Sequence, residues 1–291
     1  MTPDAFELPD GILIGHWTDA AARTGCTVVL VPDGATGGVD VRGAAAGTIG
    51  TDSLRPGARI GSVHAVLLTG GSAFGMAAAG GVQRYLEERD IGLAIRTVHV
   101  PIVAGAVIFD LLVGHAGTRP DAAAGYAACA AAASTSVMGA VGAGTGATVA
   151  KAGIGKARPG GLGIASARAG DAIVTAIMVA NSVGGIWDDE AHEWIAPLKG
   201  WDGASELVPG ANTTIGVVVT DAVLTREQAN RVATVSHDGI ARAVRPAHTM
   251  YDGDTMFCLA TCAVEAPYDL VEVVAAQVVA RAIALGVRAA Q

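Results

Sequence analysis

A single α/β domain of layered sheets and helices is what this sequence predicts, and three observations carry the prediction. Hydrophobic residues make up 51% of the 291 positions and charged residues 16%, a balance that demands a large buried core and excludes disorder. Forty glycines with only 4% aromatic residues mean a core of small and β-branched side chains, with glycines at tight turns and close backbone approaches. Strand-like and helix-like stretches are interspersed without strict alternation, without an internal repeat and without a linker between two cores.

Taken in order, TGCTVVLVPDG (24–34) is β-branched, ends on a Pro-Asp-Gly turn signal and reads as a strand. SVHAVLLTGGSAFG (62–75) reads as a buried strand entering a Gly-Gly turn, and MAAAGGVQRYLEERD (76–90) as a helix. HVPIVAGAVIFDLLVG (99–114), interrupted by Pro101 and Gly105, is one bent strand or two short ones. PDAAAGYAACAAAAS (120–134) is an Ala-rich helix with Pro120 and Asp121 at its start, where both are favoured. Residues 139–163 form a Gly-rich segment. DAIVTAIMVANSVGGIWD (171–188) is a strand leaving into Gly-Gly, and 192–212 reads as an exposed polar loop. TTIGVVVTDA (213–222) is a strongly β-branched strand. LTREQANRVATVSHDGIARAV (224–244) is an amphipathic helix with Thr225 as N-cap and Glu227 in its first turn. TMFCLATCAV (255–264) is a strand, and LVEVVAAQVVARAIALGV (270–287) a closing apolar helix.

The formal net charge is −8, with 19 basic residues and no basic cluster, which argues against a nucleic-acid surface. The start, MTPDAFELPD, lacks the charged and apolar regions of a signal peptide. The longest uncharged run, Ala122 to Ala150, is too weakly apolar to read as a membrane span. Cys26, Cys129, Cys258 and Cys262 lie in apolar runs and read as buried free thiols of a cytoplasmic protein. Zinc would need two further ligands near Cys258 and Cys262, and none are spaced for it, so no metal and no cofactor is expected.

GANTTIGVVVTDA (210–222) is the most informative stretch, because a loop ends at Asn212 and a buried strand begins at Thr213. If the Asn212–Thr213 bond breaks, Thr213 becomes an N-terminus whose hydroxyl is a nucleophile and whose α-amine, with an unperturbed pKa of ~7.7–8.0, is the adjacent base it needs. On this motif alone the reading as two β-branched strand residues prevails. In YDGDTMF (251–257), Asp252 and Asp254 flank Gly253. Two such carboxylates orient a hydroxyl or ammonium, share a proton, bind a divalent metal, or simply shape a turn.

Lys151 follows the uncharged run and, if buried, needs a lowered pKa or a carboxylate partner. The glycines before it meet neither the phosphate-loop pattern nor the strict dinucleotide fingerprint. Asn181, at the end of an apolar strand, is a candidate oxyanion donor, although capping the turn is the commoner role. The seven histidines show no metal pair and no serine-triad setting, and His248, close to the acidic pair, reads as structural.

Six stretches together resemble one family: GHWTDAAARTGCTVVL (15–30), VHAVLLTGGSAFGMAAAGGV (63–82), VPIVAGAVIFDL (100–111), GAGTGATVAK (142–151), ANTTIGVVVTDA (211–222) and RPAHTMYDGDTMF (245–257). They resemble the P1 family of self-processing aminopeptidases and amidases (peptidase family S58), which includes the DmpA-type D-aminopeptidase/esterases, β-aminopeptidases and the nylon-oligomer hydrolase NylC. The resemblance implies an αββα-like layered sandwich of the DmpA/ornithine acetyltransferase type, over residues 1–291. It also implies self-cleavage between Asn212 and Thr213 into an α chain (1–212) and a β chain (213–291).

Thr213 would then be the nucleophile, with Lys151 tuning proton transfer, Asn181 in the oxyanion hole, and Asp252 and Asp254 orienting the Thr213 amine. Some members carry Tyr where this chain has Phe109, which cannot donate a hydrogen bond. The expected substrates are small peptides, amino-acid amides or linear amide oligomers, and the expected assembly is a tetramer of αβ units. An aminopeptidase would need a carboxylate for the substrate's amine, and the sequence leaves Asp110, Asp188 or another acid open for that part. The alternative is an ornithine/glutamate N-acetyltransferase of related fold. Its cleavage site reads Ala-Thr-Met-Leu, against Asn-Thr-Thr-Ile here, which favours the hydrolase. A non-catalytic binding protein of this fold is set against the joint presence of Lys151, Asn181, Thr213, Asp252 and Asp254.

Overall fold

The computed structural model describes residues 6–152, 156–200 and 207–291. Residues 1–5, 153–155 and 201–206, which hold parts of the N-terminal, Gly-rich and polar-loop readings, lie outside the described residues. The principal elements are β1 (Leu13–Asp19), β2 (Thr24–Val41), β3 (Val63–Thr69), α1 (Ala78–Glu87), β4 (Val103–Val107), α2 (Ala122–Ala130), β5 (Gly161–Ala169), β6 (Ala172–Asn181), β7 (Thr213–Ala222), α3 (Arg226–Ala243), β8 (Thr255–Val264) and α4 (Tyr268–Ala289).

Period-two alternation of apolar side chains builds four layers from these elements. In β6, β7 and β8, one face carries Ile177 and Val179, Val217 and Val219, and Phe257 and Leu259. In β2 and β3 the matching face carries Val29, Val31, Val66 and Leu68, and all ten pack in one cluster between two sheets. The opposite face of the second sheet, with Met178, Val218 and Cys258, packs on α3 and α4. The opposite face of the first, with Val28, Leu30 and Leu67, packs on α1 and α2. The architecture is therefore helix, sheet, sheet, helix. The strand path runs β5-β6-β7-β8-β2-β3-β4, then the short strand Thr48–Ile49, with β1 beside β2. The long β2 serves both halves: Cys26 to Leu30 pair with β3, and Thr36 to Val41 pair with β8.

Small residues allow close layers. A Cβ on Gly163 of β5 would lie 1.9 Å from the Ala282 carbonyl oxygen of α4, a separation that only a missing side chain permits. The helix starts follow from their caps. The Asp121 carboxylate accepts the Ala124 N–H at 2.9 Å, and Thr225 forms a capping box with Gln228.

Several sequence expectations are corrected. β2 does not stop at Pro-Asp-Gly. It runs on for 18 residues, with a register shift between Leu30 and Ala35 where it passes from one sheet to the other. Of the two readings of 99–114, the structure has the two short strands, Val98–Val100 and β4, separated by Pro101. β1 and β5 were not foreseen, and the 192–212 loop contains a short strand, Glu193–Ala196. The four cysteines are free, three of them buried. α4 is long and apolar enough by composition to cross a bilayer, yet most of it is buried inside this fold.

Candidate active site

Strand topology gathers the site. β6 and β7 are antiparallel, so the last residue of β6, Asn181, faces the first residue of β7, Thr213. β7 and β8 are parallel, so the segment entering β8 lies beside the segment entering β7, and Asn212 bridges Asp252. Asn181, Asn212, Thr213, Asp252 and Asp254 are all buried.

The Asn212–Thr213 peptide is held tightly on both sides. The Thr213 hydroxyl donates to the carbonyl oxygen of Asn212. The same oxygen accepts the Gly253 N–H at 2.9 Å, so the carbonyl beside the hydroxyl is already polarised by a backbone donor from between the two aspartates. The Asn212 side-chain amide donates to the Tyr251 carbonyl at 3.4 Å. Asp254 Oδ1 accepts the Thr214 N–H at 2.6 Å, reaching the amide one residue beyond the expected nucleophile. Asp252 Oδ1 accepts from the Val183 N–H at 3.2 Å, and its Oδ2 from the Thr249 hydroxyl at 2.5 Å and the Thr249 N–H at 3.1 Å.

Lys151 approaches from the other side. Its ammonium donates to Asn181 Oδ1 at 2.8 Å, to the Asn181 carbonyl at 3.0 Å and to the Ala211 carbonyl at 3.1 Å. The Thr148 N–H also donates to Asn181 Oδ1, at 3.0 Å. That oxygen thus takes two donors, which turns the Asn181 amide N–H group toward the Phe109 carbonyl at a long 3.4 Å. A weakly committed N–H in a buried site is what an oxyanion donor requires.

Burial lowers the Lys151 pKa from its ordinary 10.5 to about 7, against the opposing pull of Asp252 and Asp110. Asp252 is shifted up, first by burial and then by the charge of Asp254, while hydrogen bonds from Thr249 and Val183 hold the shift back. Asp110 is also raised by burial, offset by hydrogen bonds from Thr24 and Gly71. A half-buried lysine under the influence of two buried acids, with its proton labile near neutrality, suits proton transfer.

A cleft of about 200 Å³ opens beside this cluster, lined by Phe109, Leu112, Val113, Thr148, Lys151 and the 207–212 segment. Phe109 is an apolar wall of this cleft. Neither acid considered for a substrate amine lines the cleft. Asp110 is buried under hydrogen bonds of 2.7 Å from the Thr24 hydroxyl and the Gly71 N–H, and Asp188 pairs with Arg288 at 2.9 Å. Asp110 instead acts on Lys151 as a counter-charge, a role the sequence reading did not assign. The His248 ring Nδ1 lies 2.7 Å from Asp254. Among the described residues, no group of three or more His, Cys, Asp or Glu is arranged to hold a metal ion.

This arrangement of layers is shared with solved aminopeptidase structures. It matches the L-aminopeptidase D-Ala-esterase/amidase of Ochrobactrum anthropi, described as a prototype of the serine aminopeptidases and a variant of the Ntn-hydrolase fold. The TM-score is 0.75 at 19% identity, covering 100% of this chain and 89% of that one. At the level of sequence, residues 9–291 match the model of peptidase family S58. The chain belongs to that family and is a hydrolase of peptide or amide bonds. It is 44% identical over 286 residues to an uncharacterized aminopeptidase of Mycobacterium tuberculosis, covering 88% of this chain and 81% of the relative. It is 32% identical over 281 residues to the 6-aminohexanoate-oligomer endohydrolase of Paenarthrobacter ureafaciens, covering 90% of this chain and 76% of that enzyme.

Proposed function

We propose that this hydrolase makes its own nucleophile by breaking the Asn212–Thr213 bond, and that Thr213 then cleaves small peptides, amino-acid amides or linear amide oligomers. The single observation that carries the reading is the Thr213 hydroxyl hydrogen-bonded to the carbonyl of the preceding residue, whose oxygen is also held by the Gly253 N–H. In self-cleavage the Thr213 oxygen adds to the Asn212 carbonyl carbon and the C–N bond breaks, leaving an ester and a free Thr213 amine. Water hydrolyses the ester and releases Asn212 as a carboxylate.

In turnover, the Thr213 amine takes the hydroxyl proton as the oxygen attacks a substrate amide. The proton passes to the leaving amine, an acyl-enzyme forms, and water releases the acid. Asn181 Nδ2 stabilises the oxyanion, Lys151 tunes the proton inventory beside it, Asp254 fixes the strand at Thr214, and Asp252 anchors the segment next to Asn212. The apolar wall of Phe109, Leu112 and Val113 supports substrates that are uncharged next to the scissile bond. The names of the two relatives, an aminopeptidase and an oligomer endohydrolase, support amide hydrolysis over acyl transfer to glutamate.

The hydrolase works in the cytoplasm as a homo-oligomer of αβ units, a tetramer by family resemblance. The unpaired thiols and the exposed Ile95, Val98 and Val100 of the Leu93–Val100 hairpin support this. The test is a panel of amino-acid p-nitroanilides and linear 6-aminohexanoate oligomers, assayed with the native protein and with Thr213→Ala. Turnover by the native protein alone supports the reading, and turnover retained in Thr213→Ala overturns it.

A further inference from the structure

Asp254 uses its two oxygens for different tasks. Oδ1 holds the Thr214 N–H at the start of β7. Oδ2 accepts both donors of His248, the backbone N–H at 3.2 Å and ring Nδ1 at 2.7 Å. His248 manages this double contact from a left-handed backbone, with φ of 55°, a conformation that a histidine seldom adopts and that surrounding structure must hold in place. Its remaining nitrogen, Nε2, is buried without a hydrogen-bond partner among the described residues.

The ring sits edge-on to His237 of α3, with centroids 4.9 Å apart. His237 is itself fully covered, its Nε2 3.2 Å from the Asp40 carbonyl and 3.7 Å from the Asp40 carboxylate. Burial lowers the His237 pKa to about 4, so this neighbour is neutral at physiological pH. Arg42, the other charge nearby, is turned to Asp40 and Asp238, while its backbone N–H caps the Asp254 carbonyl at 3.1 Å. The His248 ring is thus wedged between α3 and the acidic turn, and among the described residues its hydrogen-bond partner is Asp254.

We propose that His248 is a positioning residue: by fixing one oxygen of Asp254 it aims the other at Thr214, and so holds the start of β7 in register while Thr213 reacts. The inference rests on Thr213 being the N-terminal nucleophile. Once the bond to Asn212 is broken, Thr213 is a chain end, and the Asp254–Thr214 contact is the first side-chain anchor behind it. Without the ring donor, Oδ2 keeps only the longer backbone bond of 3.2 Å, and small misplacements of a reacting group cost heavily in rate.

Two substitutions isolate this contact because both suit the left-handed backbone. His248→Gly removes the ring donor and keeps the backbone. His248→Asn restores a side-chain N–H close to the position of Nδ1. The native protein and both variants are compared for extent of cleavage, kcat, KM and the pH profile of kcat. In His248→Gly, kcat is expected to fall about 10- to 100-fold with KM within about threefold, and cleavage to slow. In His248→Asn, kcat is expected within about fivefold of native with an unchanged pH profile. A His248→Gly protein with native kcat overturns the proposal, as does a His248→Asn protein as impaired as His248→Gly. If His248→Gly does not fold, His248→Asn decides, through a near-native kcat with an unmoved pH profile or the lack of it. Failure of the N-terminal threonine reading shows separately, as a native protein that is never cleaved or a Thr213→Ala protein that still turns over.

Discussion

Lys151 gives the most quantitative test of the site's electrostatics. The unfolded chain holds the lysine proton up to about 10.5, and the fold releases it at about 7. Between these values the unfolded state binds more protons than the folded one, so this group makes stability rise with pH. Its penalty is fully present below about pH 7 and is lost as pH climbs toward 10.5. Each pH unit well inside the window is worth about 1.4 kcal/mol, and the folded group is still half-titrated at the lower edge. The native side chain should therefore gain about 2 kcal/mol, relative to Lys151→Met, between about pH 7 and pH 9.

That figure is an upper one, because Lys151 lines the cleft and water reaches it. The three hydrogen bonds that the ammonium donates to Asn181 and Ala211 favour the charged form and also reduce the gain. The assay is urea unfolding of the two proteins across this pH range, both carrying Thr213→Ala so that cleavage does not intervene. A difference that stays flat, or shrinks as pH rises, refutes the desolvated lysine and with it the proton-tuning role.

Asn181→Asp keeps the acceptor for Lys151 and Thr148 but removes the amide donor aimed at Phe109 O; kcat should fall about 10²- to 10³-fold, measured on the preferred p-nitroanilide. Thr213→Ser preserves both hydroxyl and amine and should still be cleaved and active, as checked by denaturing gel and the same assay. Gly163→Ala pushes a methyl into the α4 backbone and should cost about 1–3 kcal/mol, read as a lowered urea midpoint with activity at low denaturant retained.

β7 and β8 coincide residue for residue with the sequence reading, because Thr-Thr-Ile-Gly-Val-Val-Val-Thr and Thr-Met-Phe-Cys-Leu-Ala-Thr are β-rich runs bounded by turn chemistry. β5 escaped notice because GLGIASARA carries little β propensity of its own. Pairing with β6 and the close approach of α4 at Gly163 make it a strand. The Pro-Asp-Gly of β2 signalled a turn that the passage between two sheets overrode. At the site, Lys151, Asn181 and Thr213 are far apart in sequence, and no local periodicity joins them. They became a set through resemblance, and the β6–β7 register supplies the physical reason. The His248–Asp254 bond spans six residues of irregular chain, a separation at which sequence pattern carries no contact information.

The central claim is that Thr213 becomes a chain terminus, and denaturing mass analysis of the purified native protein tests it most directly. The account predicts two species, 1–212 and 213–291, the smaller beginning with Thr213, and a single full-length species for Thr213→Ala. A fully active native protein that runs as one unbroken chain would contradict it.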